Sequence, residues 1–469
     1  MATLRILVPE TSAALDWICS VIFTDYLGLS YALEPATDNN FHLCLNQRQI
    51  ELPSILFALT PDSWLQQSSM PTLPLVTWDS RNIGLNPKLV ESTIPVIYGS
   101  TDRPSTVTDD YIFLAIDVFG SAFFMLSRYE EAVSLVRDEH GRFPAKESLV
   151  VRAGFIDRPI IDEYIEILWS AMRRLWPNME RKQHRARTLI SCDVDSPFDP
   201  ACASLYRMGK RILGRTWRDK SLNRLSMTVK DYLAVKQGDY SFDPYRSAID
   251  WIMDENEKAG NRVAFYFICA QTDKKMDTSI SIDEPRMRAI MRSVHARGHE
   301  IGIHPGYDTY KNPVKFAQSV SKLRHIMEEE DIGQDALGGR QHYLRWETPT
   351  TAQLWEANGL IYDSTMSYVD RAGFRCGTCR EYRMYDLINR RPLNLLQRPL
   401  VVMESAVIGM QDIGMNLGYG NEARELIYRY KRICHQFDGD FTLLWHNSYF
   451  EHRAAKELCR DIINAQVPA

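Results

Sequence analysis

Short apolar runs broken by polar turns dominate the first 180 residues. Residues 41–45, 73–78 and 93–99 are bounded by Pro, Asn, Asp or Gly, which predicts strands. The opening residues up to Val8 form another strand-like run, stopped by Pro9. Residues 112–131 and 160–175 repeat apolar positions at helical spacing. From residue 188 the pattern becomes an alternation. Strand-like segments 188–194, 262–269, 300–304, 341–346, 400–404 and 441–446 are interleaved with helix-like segments 245–258, 285–297, 312–329, 351–358 and 421–436. Gly260, Gly298 and Gly359 follow three of these helices as C-cap signals. Strand–helix alternation on this scale predicts a parallel sheet or a (β/α) barrel.

At 469 residues the chain exceeds one ordinary core, so two units are expected. The charged stretch 180–187 is the candidate linker between an α/β unit over 1–180 and a barrel-like unit over 186–469. A basic, helix-prone insert lies at about 198–242. With 45% hydrophobic and 25% charged residues, the composition is that of a globular enzyme. A net charge of -5 argues against a nucleic-acid partner. Nine scattered cysteines imply no disulfide framework and fit a reducing, cytoplasmic setting. The apolar window 111–126 is too short for a membrane span.

Chemistry gathers where the predicted strands end. Asp193 and Asp195 sit one residue apart at the end of 188–194, so both leave the same face. Two carboxylates this close repel unless a cation or a shared proton intervenes. His304 and His446 end two other predicted strands, and Arg345 lies in a fourth. Ligands collect at this end of parallel sheets. A hydrolytic metal site needs about three protein ligands and one open position. Asp195 and His304 are the first two. Asp193 is the candidate base, His446 the candidate acid and Arg345 the partner that keeps Asp193 ionised. His299 reads as a structural histidine. His342 is open between a ligand and a group that orients one. Trp445 is a neighbour of the site. Cys376 and Cys379 read as ordinary thiols, and Arg375 or Arg380 in their loop is a candidate for holding substrate. Segments 128–131 and 138–143 read as polar turns.

These stretches resemble the polysaccharide deacetylase family (NodB homology) from about residue 186 to the C-terminus. Ser191-Cys192-Asp193-Val194-Asp195 is similar to the family's first motif, with the second Asp one position later. Gly298-His299-Glu300-Ile301-Gly302-Ile303-His304 resembles its second, Leu344-Arg345-Trp346-Glu347-Thr348-Pro349 its third and Leu443-Leu444-Trp445-His446 its last. The resemblance implies a distorted (β/α)7 barrel. It also implies removal of acetyl groups from N-acetylated sugars of a bacterial polysaccharide or its precursor, with a divalent metal, zinc foremost. It makes Asp193 the base and Asp195 and His304 metal ligands. The family's second metal histidine falls at Asp308, which implies an Asp–His–Asp set, with His342 as the alternative third ligand. A backbone N–H near Tyr307 would assist at the oxyanion. Three rival readings stand beside this one: an O-acetyl esterase, a silent glycan-binding protein, and a metal-free carbohydrase. The last is disfavoured because Asp193 and Asp195 are too close to flank a glycosidic bond.

Overall fold

The computed structural model describes residues 3–219, 222–409, 413–450 and 452–465, without the side chains of 214–225. The N-terminal part is built on strands β1 (Leu4–Val8), β2 (Tyr31–Pro35), β3 (Asn40–Leu45), β4 (Arg48–Pro53), β5 (Thr77–Asp79), β6 (Thr93–Pro95), β7 (Thr106–Val107) and β8 (Tyr111–Phe113). Six of them form a mixed sheet in the order β2-β1-β3-β4-β8-β7, while β5 and β6 pair separately. The single helix expected over 112–131 is broken up. Tyr111–Phe113 is drawn into the sheet beside β4. A new helix, Val118–Leu126, starts only where the Asp117 carboxylate caps the Gly120 N–H. Every residue of that helix is buried, and it packs against the long helix Ile160–Leu175.

The C-terminal part holds β9 (Arg187–Val194), β10 (Val263–Phe267), β11 (Glu300–Ile303), β12 (Gly338–Gly339), β13 (Tyr362–Asp363), β14 (Tyr382–Asp386), β15 (Arg391–Gln397), β16 (Val402–Met403) and β17 (Asp440–Leu444). Their ladder order is β14-β15-β13-β12-β11-β10-β9-β17-β16, parallel throughout except for β14 against β15. From β9 the sheet can be read in chain order through β15 on one side and back from β17 to β16 on the other. No ladder joins β15 to β16 among the described residues, so a closed barrel is not what the hydrogen bonds form. The central strands β10 and β17 are buried at every position, as parallel strands covered on both faces must be.

The strand expected over 341–346 is instead a tight turn. Tyr343 and Leu344 both take positive φ there, and the strand itself is the pair Gly338–Gly339 just before it. Gly339 is obligatory, because a Cβ would collide with the Ile303 carbonyl of β11. In the insert, helices Leu205–Asp219 and Leu222–Lys236 flank residues 220–221, which lie outside the described residues. The candidate linker is tied down: the Lys182 N–H donates to the Leu27 carbonyl at 2.8 Å, and Arg181 pairs with Glu166 at 2.7 Å. One continuous apolar core includes residues of both sheets. Trp17 and Phe123 from the N-terminal part pack their rings against Tyr385 of β14. No helix among the described residues is long and apolar enough to cross a membrane.

Candidate metal centre

Asp193, Asp195, His304 and His446 converge at the C-terminal ends of β9, β11 and β17. Parallel pairing in register aligns those ends: Tyr266 lies opposite Asp193, and Phe267 opposite Ile303. The His304 N–H then donates to the Phe267 carbonyl at 2.8 Å, which fixes the residue just past its strand. His304 Nε2 stands 3.1 Å from Asp195 Oδ1 and 3.8 Å from Asp193 Oδ2. His446 Nε2 stands 3.6 Å from Asp195 Oδ2.

His342 completes the group. Its Nε2 is 3.7 Å from Asp195 Oδ1, and ligand atoms of Asp195, His304 and His342 all lie within 4.8 Å of one another. Each imidazole is held by its other nitrogen. His304 Nδ1 meets the Arg340 carbonyl at 2.6 Å, His342 Nδ1 the Asp277 carboxylate at 2.8 Å and His446 Nδ1 the Glu404 carboxylate at 2.5 Å. For His304 and His342, a carbonyl or carboxylate at Nδ1 holds a proton there and turns the Nε2 lone pair to a cation. Asp195 Oδ1 is buried and makes no well-aligned hydrogen bond; its close neighbours are the Nε2 atoms of His304 at 3.1 Å and His342 at 3.7 Å. A buried carboxylate oxygen flanked by two such nitrogens fits a divalent metal that takes mixed N and O donors. Asp195 is still one-third exposed, so the cluster opens to solvent on one side.

The charges follow the geometry. Burial works to raise the Asp195 pKa, but His342, His304 and His446 outweigh it and hold the carboxyl well below its usual range. Burial works to lower the His446 pKa, yet Glu404 and the two aspartates push it up to about 10. Asp277 is likewise held below the carboxylate range: burial opposes this, and the His342 hydrogen bond with the Asp273 and Tyr307 N–H donors overcomes it.

Three expectations are corrected. Asp308 does not join the cluster. Its carboxylate is turned outward to Lys315 at 3.2 Å and Arg345 at 3.5 Å. The turn at 342–344 brings His342 in, where a continuous strand would have carried it past. Arg345 does not touch Asp193; it donates to the His140 and Tyr307 carbonyls and lies 3.8 Å over the Tyr307 ring. The partner of Asp193 is Arg340, buried, at 2.7 Å from Oδ1 and further held by Ser191 and Ser364. The Tyr307 N–H is spent on Asp277 at 2.8 Å and is not free for an oxyanion.

His299 precedes β11 and so lies at the opposite end of that strand from His304. Its Nδ1 accepts from the Val263 N–H at 3.2 Å, a structural role. Trp445 stacks on Phe450 at 5.5 Å. Arg375 is committed to Glu131 and the Ser367 carbonyl, and Arg380 to Asp162 and the Phe437 carbonyl, so both are taken up by the protein itself. Cys376 and Cys379 are buried free thiols. Sequence reasoning missed Arg340, Asp277 and Glu404. The first follows Gly339 directly and was readable as a strand-end residue. Glu404 ends the expected strand 400–404 and was readable in the same way, although it starts a short helix, while Asp277 lies in a loop with no periodic signal.

A model described as "Family of unknown function (DUF7033)" matches residues 4–177. No curated protein matches the chain. Among solved structures, it is similar to a Mycobacterium smegmatis protein described as a polysaccharide deacetylase, at 14% identity over 60% of this chain and 85% of that one, with a TM-score of 0.39. It is similar to Puue allantoinase at 14% identity over 60% and 83%, with a TM-score of 0.35. It is also similar to a Pseudomonas aeruginosa PAO1 protein described as a polysaccharide deacetylase, at 13% identity over 67% and 90%, with a TM-score of 0.36. Scores this low carry nothing about activity.

Proposed function

We propose that the chain is a hydrolase that removes acetyl groups from N-acetylated sugars, with a divalent cation, zinc foremost, on Asp195, His304 and His342. The observation that carries this reading is the gathering of ligand atoms of Asp195, His304 and His342 within 4.8 Å of one another, with the far side of each imidazole pinned. Such a cation lowers the pKa of water and polarises an acyl carbonyl. Asp193 takes the proton from the attacking water. Arg340 fixes its Oδ1, which leaves Oδ2 on the side of His304. His446 carries a proton on the far side of Asp195 and gives it to the leaving nitrogen. In this reading the deacetylase unit is 186–469 on a barrel-like sheet, and the cell compartment is the cytoplasm. Ester cleavage would use the same groups.

Metal content and acetate release from an N-acetylated oligosaccharide test the proposal together. A parent protein with no divalent metal at neutral pH would sink it. Asp193→Asn is expected to keep the metal and lose about 10²- to 10⁴-fold in kcat, the span of a general-base contribution. Glu404→Gln removes the charge that accepts from both the His446 backbone N–H and its Nδ1. It is expected to lower kcat by about 10- to 100-fold, as loss of an orienting partner does, with metal content unchanged. Loss of metal in Glu404→Gln would show instead that His446 is a ligand.

A further inference from the structure

The loop 138–143 of the N-terminal part folds over the rim of the candidate centre. It is rigid by construction: Asp138 Oδ1 accepts from the His140 and Arg142 N–H groups at 2.9 Å each, and Asp138 Oδ2 pairs with Arg142 Nε at 2.7 Å. It is also bolted to the other half of the molecule. The His140 carbonyl accepts from Arg345 Nε at 2.7 Å, and Arg142 donates to the Tyr343 carbonyl at 3.2 Å. Gly141 has φ +74° and lies so near the Tyr310 hydroxyl that a Cβ would come to 2.8 Å from it. Only glycine lets the loop approach this closely without strain.

This docking sets His140 into a row of rings that begins at the metal cluster. His304 and His342 are 4.8 Å apart, His342 and Tyr343 4.8 Å, Tyr343 and His140 5.1 Å, and Tyr343 and Tyr307 5.2 Å between centroids. His140 Nδ1 meets the Tyr307 hydroxyl at 2.8 Å. Tyr343 holds φ 61°, a left-handed conformation costly for a tyrosine and found where function demands it. His140, Tyr307 and Tyr343 all remain partly exposed. Ring faces with polar tips suit a sugar, which has an apolar CH face edged by hydroxyls.

We propose that the N-terminal part supplies one wall of the substrate site, with His140, Tyr307 and Tyr343 binding the sugar unit next to the one that is deacetylated. The ligand's identity rests on the deacetylase reading; the wall itself rests on the docking of the loop. The test uses the full-length zinc-loaded protein and tetra-N-acetylchitotetraose, with calorimetry for binding and acetate release for turnover. His140→Ala is expected to weaken binding and raise KM by about 10-fold with kcat within about twofold and metal content unchanged, the signature of lost uniform binding. Tyr307→Phe, which removes only the hydroxyl, is expected to move both in the same direction by less, and decides the matter should His140→Ala not fold.

An active parent whose affinity and KM do not change in His140→Ala overturns the proposal. So does a fall in kcat alone, or a parent that binds no oligosaccharide. A parent that binds through His140 yet releases no acetate overturns the hydrolase reading and leaves the wall standing.

Discussion

His342→Ala is expected to strip the cation and to lower acetate release by more than about 100-fold, beyond the effect of losing an orienting partner. Asp308→Ala is expected to leave metal content and turnover as they are. The contrast follows from where the two side chains go. His342 is buried, its Nδ1 is anchored on Asp277 and its Nε2 is aimed at Asp195. Asp308 is partly exposed and paired with Lys315 and Arg345. Metal analysis of the two purified variants, followed by acetate assay, checks the prediction. Metal retained in His342→Ala but lost in Asp308→Ala would restore the Asp–His–Asp set. Asp195→Ala should behave as His342→Ala does, since it removes the one oxygen both imidazoles face.

The largest effect on stability is expected at Glu131, outside the cluster. Its Oε1 accepts from Arg128 Nη2 at 2.9 Å and Arg375 Nη2 at 2.8 Å, and all three side chains are almost wholly buried. Arg128 also donates to the Arg375 carbonyl at 2.6 Å, so the group ties the N-terminal part to the loop after β13. Glu131→Gln would take from Arg375 the carboxylate it pairs with and leave Arg128 with Glu130 at 3.1 Å. Breaking a buried pair in this way costs about 3–5 kcal/mol. Chemical denaturation with tryptophan fluorescence measures it, and a loss under about 1 kcal/mol, the range of an exposed ion pair, would refute the assignment.

The same group gives a pH dependence. Burial acts to raise the Glu131 pKa, but Arg375 and Arg128 outweigh it and hold the carboxyl below its ordinary 4.5. A depressed carboxyl contributes stability that is present above its unfolded pKa and lost as pH falls through the folded one. Acid unfolding of the parent below pH 4.5 should therefore be steeper than that of Glu131→Gln.

Both predictions turn on features that were unequally visible along the chain. Asp193, Asp195, His304 and His446 were legible because each ends an apolar run, and parallel strands put their ends together. The network of Arg128, Glu131 and Arg375 was not. In sequence it is a polar stretch, and a polar stretch is a surface turn unless something distant covers it. The insert 198–242 was legible as helical because its periodicity is local. The helix expected over 112–131 failed because pairing of Tyr111–Phe113 with β4 overrode local propensity.

The sequence by itself determined the alternation of strands and helices after residue 188, and with it the strand-end placement of the chemical groups. Local periodicity and strand geometry act within a few residues, so they can be read without the fold. Only the tertiary structure decided that His342 and not Asp308 stands by Asp195, that Arg340 and not Arg345 holds Asp193, and that His140 reaches the rim from the other half. Each of those choices depends on a backbone turn or a contact between segments tens to hundreds of residues apart. Distance along the chain carries no record of such contacts.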